Sequence, residues 1–185
     1  EYEAAGLAKL SAVRRLLLRT LRSTEGAAGG GAKLVVFAHH RKVVSALSSA
    51  LHAARVSHVR IDGAALPADR HDAVRRFAAD ASLRVALASV TASALGIDLS
   101  AASVALFAEL PPDAAWLNQA EDRLHRRGQR AAVQSTLLLA APPPAADAGA
   151  DATEAGSAAM AAAARFDARH SRTLRAAERC VRRVT

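Results

Sequence analysis

The sequence predicts a doubly wound α/β domain, in which helices cover both faces of a parallel sheet. Short apolar runs that are typical of buried strands alternate with longer segments of helical periodicity. Hydrophobic residues make up 51% of the 185 residues and aromatic residues only 3%, so we expect a core of Val, Leu, Ile and Ala. This length suits one domain with a core and a tail.

The first half of the chain is predicted to contain three helices and two strands. Residues 3–23 carry leucine and valine at helical spacing, with most arginines on the rest of the cylinder. After a Gly-rich connector, residues 33–38 form a continuous apolar run typical of a strand buried on both faces. Helix 41–54 follows, and strand 56–62 then ends at an Asp-Gly turn. Helix 67–80 begins with a proline, which suits a first helical turn.

The second half continues the alternation. Residues 83–89, 103–110 and 132–140 are apolar runs and are predicted to be strands. Residues 113–127 are predicted to form a helix with an apolar side that packs on the sheet. Segment 89–103, between the predicted strands 83–89 and 103–110, is rich in small residues and is predicted to be a loop.

The composition changes after residue 140. Residues 1–140 are therefore predicted to form the folded domain. Residues 141–164 are rich in Ala and Pro, which is typical of a linker. Residues 165–185 are basic and are predicted to form a helical tail. A solvated helix is the favoured interpretation of this tail, and contact with DNA is the alternative.

The charge balance indicates a polyanionic partner. The formal net charge is +8, and only three of the 25 basic residues are lysine. Guanidinium groups pair with phosphates in a bidentate fork, although a GC-rich genome would also raise Ala and Arg. The single cysteine, Cys180, excludes an internal disulfide and favours a reducing compartment. We find no membrane-spanning run and no signal peptide, and the first residue, Glu1, leads us to expect a fragment of a longer protein.

The last predicted helix carries a cluster of arginines. Gln119, Arg123 and Arg126 stand at i, i+4 and i+7, so a helix would present them on one face. Guanidinium groups on a packed helix would stabilise charge on a transferring phosphoryl group. Spacing alone favours the alternative, an exposed face on which Glu121 and Asp122 neutralise the arginines.

Two further segments follow predicted strands, where open α/β sheets bind ligands. In segment 89–103, Gly96 permits close approach to a ligand, and Asp98 is a candidate acceptor for a ribose hydroxyl. By itself this segment favours a tight loop with an Asp cap. In "AHHR", His39 and His40 have no acidic or Cys partner at ligand spacing. A helix start or a phosphate contact is therefore favoured there over a metal site.

Five segments together resemble one family. "KLVVFAHH", "HVRIDG", "SVTASALGIDLS", "VALFAEL" and "QAEDRLHRRGQ" are similar, in this order, to motifs IV, IVa, V, Va and VI of superfamily 2 helicases. The last resembles the form found in Swi/Snf-type DNA translocases, and "FAHH", "RIDG" and "FAEL" resemble the annealing-helicase (HARP-type) branch. The resemblance covers about residues 7–140 and implies the second RecA-like lobe of a two-lobe motor, a P-loop NTPase-like fold.

The resemblance implies a nucleotide at one part of this lobe. In such motors ATP binds between the lobes, and the first lobe holds Mg²⁺. The second lobe supplies arginine fingers, which by motif position are Arg123 and Arg126. Gly96, Asp98 and Gln119 are implied to lie at the same nucleotide interface.

The resemblance also implies double-stranded or forked DNA as a partner. Ser89, Thr91, His39, His40 and Arg41 are implied to lie along the DNA backbone, where contacts to phosphates read no sequence. The implied function is DNA rewinding and fork remodelling in repair, located in the nucleus if the source is eukaryotic, without a membrane.

The sequence also limits this function and leaves alternatives open. It contains no GxxxxGK[ST] loop and no acidic box after a strand, so we expect this segment alone not to hydrolyse ATP. The N-terminal lobe of the same protein would supply both. A non-enzymatic DNA-binding relic lobe and the motor lobe of a chromatin remodeller are the two alternatives.

Overall fold

The structure, a computed structural model, describes residues 2–24, 31–63, 65–93, 96–111, 113–129 and 131–140. The predicted linker and tail, 141–185, lie outside the described residues, so the boundary at residue 140 stays a prediction. Among the described residues, we find no helix whose length and hydropathy would let it span a bilayer. The elements described are α1 (Tyr2–Ala8), α2 (Leu10–Ser23), β1 (Leu34–Ala38), α3 (Arg41–Ala53), β2 (His58–Ile61), α4 (Pro67–Ala79), β3 (Val85–Ser89), α5 (Val90–Ser93), β4 (Val104–Phe107), α6 (Ala114–Glu121) and β5 (Gln134–Leu137).

The strands form one parallel sheet. Their order is β2-β3-β1-β4-β5, and every pairing among the described strands is parallel. In central β1, Val36 lies opposite Leu87 of β3 on one side and Leu106 of β4 on the other. β1, β3 and β4 are buried along their whole length. The predicted doubly wound α/β fold is confirmed.

Alternate side chains of β1 enter two cores, one on each face of the sheet. Leu34 and Val36 pack with buried residues of α2 and α3. Val35 and Phe37 pack with buried residues of α4 and α6. The Phe37 ring stacks on Phe107 at a centroid distance of 5.0 Å, a contact that contributes about 0.5–1.5 kcal/mol beyond its buried area.

The prediction of one continuous helix over residues 3–23 was wrong, because the chain turns at Lys9. The Lys9 amide donates a bond to the carbonyl of Gly6 at 3.3 Å. Its side chain is 3% exposed, and its Nζ donates to the carbonyl of Leu138 at 2.9 Å. This bond to the far end of the chain fixes Lys9 between two helices, and local periodicity does not reveal it.

The other predicted elements are present, with shorter bounds. The strand predicted at 103–110 is β4, which covers Val104–Phe107, and the one predicted at 132–140 is β5, which covers Gln134–Leu137. The predicted loop 89–103 contains a short helix, α5, that the sequence did not indicate.

Two basic side chains donate hydrogen bonds to the ends of helices at the edge of the sheet where the strands begin. We call this edge the amino edge. Lys33 Nζ donates to carbonyls at the end of α4, including those of Ala78 at 3.3 Å and Asp80 at 2.9 Å. Arg84 Nη2 donates to the carbonyl of Leu21, near the end of α2, at 3.0 Å. These bonds satisfy carbonyls that the ends of helices leave without helical partners.

Candidate functional site

The carboxyl ends of the three central strands meet at one edge of the sheet, which we call the carboxyl edge. β1 ends at Ala38, β3 at Ser89 and β4 at Phe107. Because these strands are parallel and in register, the residues that follow them emerge side by side. Of the predicted site residues, His39, His40, Arg41 and Thr91 follow these strands directly, and Ser89 is the last residue of β3.

A buried carboxylate organises the first of these loops. Glu109 is 1% exposed, and its Oε2 accepts bonds from the backbone amides of His39 and His40 at 2.7 and 2.9 Å. The His40 Nδ1 lies 2.7 Å from Oε1 of the same carboxylate. Glu109 therefore fixes the direction in which both histidines leave the sheet. The role of Glu109 is not evident from the sequence, because its partners lie about 70 residues away along the chain.

His39, His40 and Arg41 form the start of α3. His40 is the extended residue before the helix, and Arg41 is the exposed first helical residue, so the predicted helix start is confirmed. The two imidazole rings meet edge to face at a centroid distance of 4.9 Å. Burial and the neighbouring His40 lower the pKa of His39, and the Glu109 carboxylate opposes this in part. The neutral imidazole of His39 is thus favoured.

The side chains of Ser89 and Thr91 differ in their exposure and in their hydrogen bonds. Ser89 is 5% exposed, and its Oγ accepts a bond from the Ala92 amide at 3.1 Å. That Oγ also lies 3.1 Å from the Oγ1 of Thr91. Thr91 itself is exposed on α5. Of this pair, Thr91 is the exposed residue, whereas Ser89 holds the start of α5.

Gly96 and Asp98 are exposed residues of the segment that leads from α5 back to the start of β4. Gly96 has a φ of +75°, and a Cβ at this position would meet nothing within 4 Å, so the backbone is open to a ligand. The Asp98 Oδ1 accepts a bond from the Ser100 amide at 2.9 Å, which is the Asp cap that the sequence allowed. Partial burial raises the pKa of Asp98, but the bonds from Ser100 and the charge of Arg126 outweigh it, so that the pKa lies below its usual value. Asp98 is therefore a carboxylate at neutral pH.

The prediction of a helix over 113–127 was wrong beyond Glu121, where α6 ends. Gln119 lies on α6, but Arg123 and Arg126 lie on the turns that follow, so the three do not share one helical face. The reason is tertiary. The Leu99 amide donates to the carbonyl of Arg123 at 3.0 Å, and Leu124 is fully buried.

Hydrogen bonds join the turn segment, residues 122–129, to the loop that contains Gly96. Arg126 Nη2 donates to the Gly96 carbonyl at 3.2 Å. Gln129 Nε2 donates to the carbonyls of Ser100 and Ala102 at 3.0 and 2.7 Å. The two arginines and Asp98 therefore belong to one connected unit. The sequence assigned no role to Gln129, although it is the last residue of the motif that carries the arginines.

The comparison with protein families decides the identity of this unit. Residues 8–128 match the family model described as the helicase conserved C-terminal domain, which is well over half of the chain. The chain belongs to this helicase family. The match extends from the end of α1 to Gly128, so both the carboxyl edge and the two arginines are parts of the helicase domain.

Relatives of this helicase domain lie in much longer proteins. The chain is 38% identical over 133 residues to a SWI/SNF-related matrix-associated actin-dependent regulator of chromatin subfamily A-like protein 1 from Bos taurus, covering 72% of this chain and 13% of that protein. It is 34% identical over 139 residues to the DNA annealing helicase and endonuclease ZRANB3 from Homo sapiens, covering 75% and 12%. The chain thus spans about an eighth of the length of these curated relatives.

A solved structure confirms the architecture of the helicase domain. The chain is similar to the C-terminal part of the Fun30 ATPase domain, with a TM-score of 0.64 and 25% identity, over 71% of this chain and 40% of that one. The α/β fold is therefore that of a RecA-like helicase C-terminal lobe.

The turn segment and the loop that contains Gly96 together offer groups that suit a nucleotide. The open backbone at Gly96, the ionised carboxylate of Asp98 and the partly exposed guanidinium of Arg126 belong to one connected loop pair. In the described ranges, no group of three or more His, Cys, Asp or Glu side chains is placed to hold a metal ion.

Proposed function

We propose that this chain is the second motor lobe of an ATP-dependent DNA translocase of the annealing-helicase kind. Membership of the helicase C-terminal family supports the motor, and relatives named DNA annealing helicase support the branch. The observation that carries the proposal is the set of hydrogen bonds that joins the turn segment to the loop containing Gly96. Relatives named as regulators of chromatin are in keeping with the nuclear location expected from the resemblance.

The proposed nucleotide interface consists of Arg123, Arg126, Gln119, Gly96 and Asp98. The two guanidinium groups act as arginine fingers that stabilise charge on the transferring phosphoryl group. Asp98 accepts a ribose hydroxyl, and the open backbone at Gly96 admits the ligand. ATP with Mg²⁺ supplies the phosphoryl group, and the Mg²⁺ and the phosphate loop belong to the first lobe of the complete protein.

The proposed DNA track consists of His39, His40, Arg41 and Thr91. They lie at the ends of adjacent strands β1 and β3, and Glu109 orients the backbone of the two histidines. We assign Ser89 the positioning of α5, because its buried hydroxyl already bonds within the lobe. Contacts of these types fix the lobe on phosphates without reading sequence.

The test is the DNA-stimulated ATPase rate of the full-length protein with Arg126→Ala. We expect kcat to fall by roughly 10²–10³-fold, about 3–4 kcal/mol of transition-state stabilisation, with little change in DNA affinity. Arg127→Ala is the matched control, because Arg127 is the exposed neighbour and should leave the rate near wild type. Wild-type turnover of Arg126→Ala would remove the finger assignment. A different outcome, in which the wild-type protein itself has no ATPase activity, would favour a DNA-binding lobe without turnover.

A further inference from the structure

A second cluster of basic residues lies at the amino edge, across the sheet from the proposed DNA track. A cleft of about 580 Å³ is lined there by His52 in the last turn of α3, Arg55 after that helix, His58 at the start of β2, and Arg76 near the end of α4. We call it the basic cleft. Because β1 and β3 each have five residues, about 17 Å of sheet separates it from the carboxyl edge.

The backbone at Arg55 is held in an unfavourable conformation. Its φ of 55° makes it the single non-glycine residue with positive φ among those described. The bond from its amide to the His52 carbonyl and the bond from the Val56 amide to the Leu51 carbonyl, both 2.9 Å, close α3 in the left-handed manner that normally uses glycine. A side chain costs stability at such a position. A strained residue that lines a cleft is a candidate functional residue.

The charges of the basic cleft are not neutralised within the described part of the lobe. None of its lining residues is Asp or Glu, and neither Arg55 nor Arg76 makes an ion pair with a described residue. The neighbouring Arg75 differs, because it pairs with Asp72 at 3.0 Å outside the cleft. His58 is fixed as part of the wall by Ser48, whose Oγ lies 2.8 Å from its Nε2.

We propose that the basic cleft binds phosphate groups of a nucleic-acid backbone, as a second contact separate from the proposed DNA track. Two guanidinium groups and an exposed imidazole suit phosphate oxygens. Of the apolar lining residues, Leu83 is buried, Val56 is half-buried and Ala53 is small, so the cleft offers little to anchor a hydrophobic side chain, as peptide recognition usually requires. This proposal goes beyond the motor function and does not depend on ATP.

The experiment measures two properties of the full 185-residue chain, the Tm and the salt dependence of binding to a short DNA duplex by fluorescence anisotropy. We expect Arg55→Gly to raise the Tm by about 2–4 °C, because glycine relieves the strain. The same variant should bind the duplex more weakly, and the slope of log K against log salt should become shallower by about 0.9, one phosphate contact. Arg76→Gln should change the slope similarly, and Arg55→Lys should retain it.

Arg75→Gln is the matched control, since it removes the same charge from the same helix outside the basic cleft. For this variant, the slope of log K against log salt should remain near the wild-type value. Equal loss of slope in Arg75→Gln and Arg76→Gln would overturn the proposal, because binding would then follow total charge. A rise in Tm for Arg55→Gly without any change in binding would overturn it as well. Displacement of the duplex by poly-glutamate at matched charge would assign the basic cleft to acidic peptides instead.

Discussion

The missing side chain of Gly6 leaves room for the Glu109 carboxylate. A Cβ at Gly6 would lie 2.5 Å from the Glu109 Oε1 and 2.8 Å from the Cγ2 of Val43. The carboxylate cannot easily move, because it is buried and accepts bonds from the amides of His39 and His40. A glycine in a helix is normally a weak point, but here it lets α1 approach the residue that organises the carboxyl edge.

We therefore expect Gly6→Ala to destabilise the lobe, against the usual preference for alanine in helices. Alanine normally gains about 1 kcal/mol over glycine there, whereas overpacking a core costs roughly 1–3 kcal/mol. Urea unfolding should show a net loss of up to about 2 kcal/mol. Gly63→Ala is the control, because a Cβ at Gly63 meets nothing within 4 Å. A gain in stability for Gly6→Ala would show that the Glu109 contact yields easily.

The lowered pKa of His39 makes the lobe sensitive to mild acid. The unfolded chain has the ordinary value of 6.5, and the folded state has a lower one because of burial and the neighbouring His40. As the pH falls through 6.5, the unfolded chain binds a proton more readily than the folded chain, so stability decreases until the folded pKa is passed. We expect the urea midpoint to fall less between pH 7.5 and 5.5 in His39→Gln than in the wild type. An identical fall in both would contradict the assignment of this sensitivity to His39.

At the scale of elements, the sequence predicted the strands and most helices, and it failed where distant contacts decide. Continuous apolar runs identify β1, β3 and β4, because both faces of these strands are buried. The turn at Lys9 depends on a bond to Leu138, and the end of α6 depends on a bond between Leu99 and Arg123. Such pairings join residues that are far apart in the chain, so periodicity cannot indicate them.

The turn segment 122–129 offers a prediction at this scale. Gln129→Glu keeps the shape of the side chain but replaces the Nε2 donor with oxygen, which would face the carbonyls of Ser100 and Ala102. We expect hydrogen exchange of the segment to rise by roughly tenfold or more, since leaving buried acceptors unpaired costs about 1–3 kcal/mol. Gln134→Glu, at an exposed position of β5, should leave the exchange unchanged. Equal protection in both variants would mean that Gln129 does not hold the segment.

At the scale of the whole molecule, the doubly wound sheet places different chemistry at its two edges. The carboxyl edge carries His39, His40 and Thr91 of the proposed DNA track, and the basic cleft lies at the amino edge. The motif with the two arginines was evident in the sequence, and its resemblance to helicase motif VI led to the family. The positioning residues Glu109 and Gln129 were not evident, because their roles consist of contacts with other loops.

The central claim is that Arg123 and Arg126 act on the transition state of phosphoryl transfer. Its most direct test is the affinity of the full-length protein, with DNA present, for ADP–aluminium fluoride, which mimics the transferring phosphoryl group. We predict that Arg123→Ala and Arg126→Ala each weaken this affinity by roughly 10²–10³-fold, while the affinity for a non-hydrolysable ATP analogue changes little. Equal weakening for both ligands, or none for either, would contradict the claim.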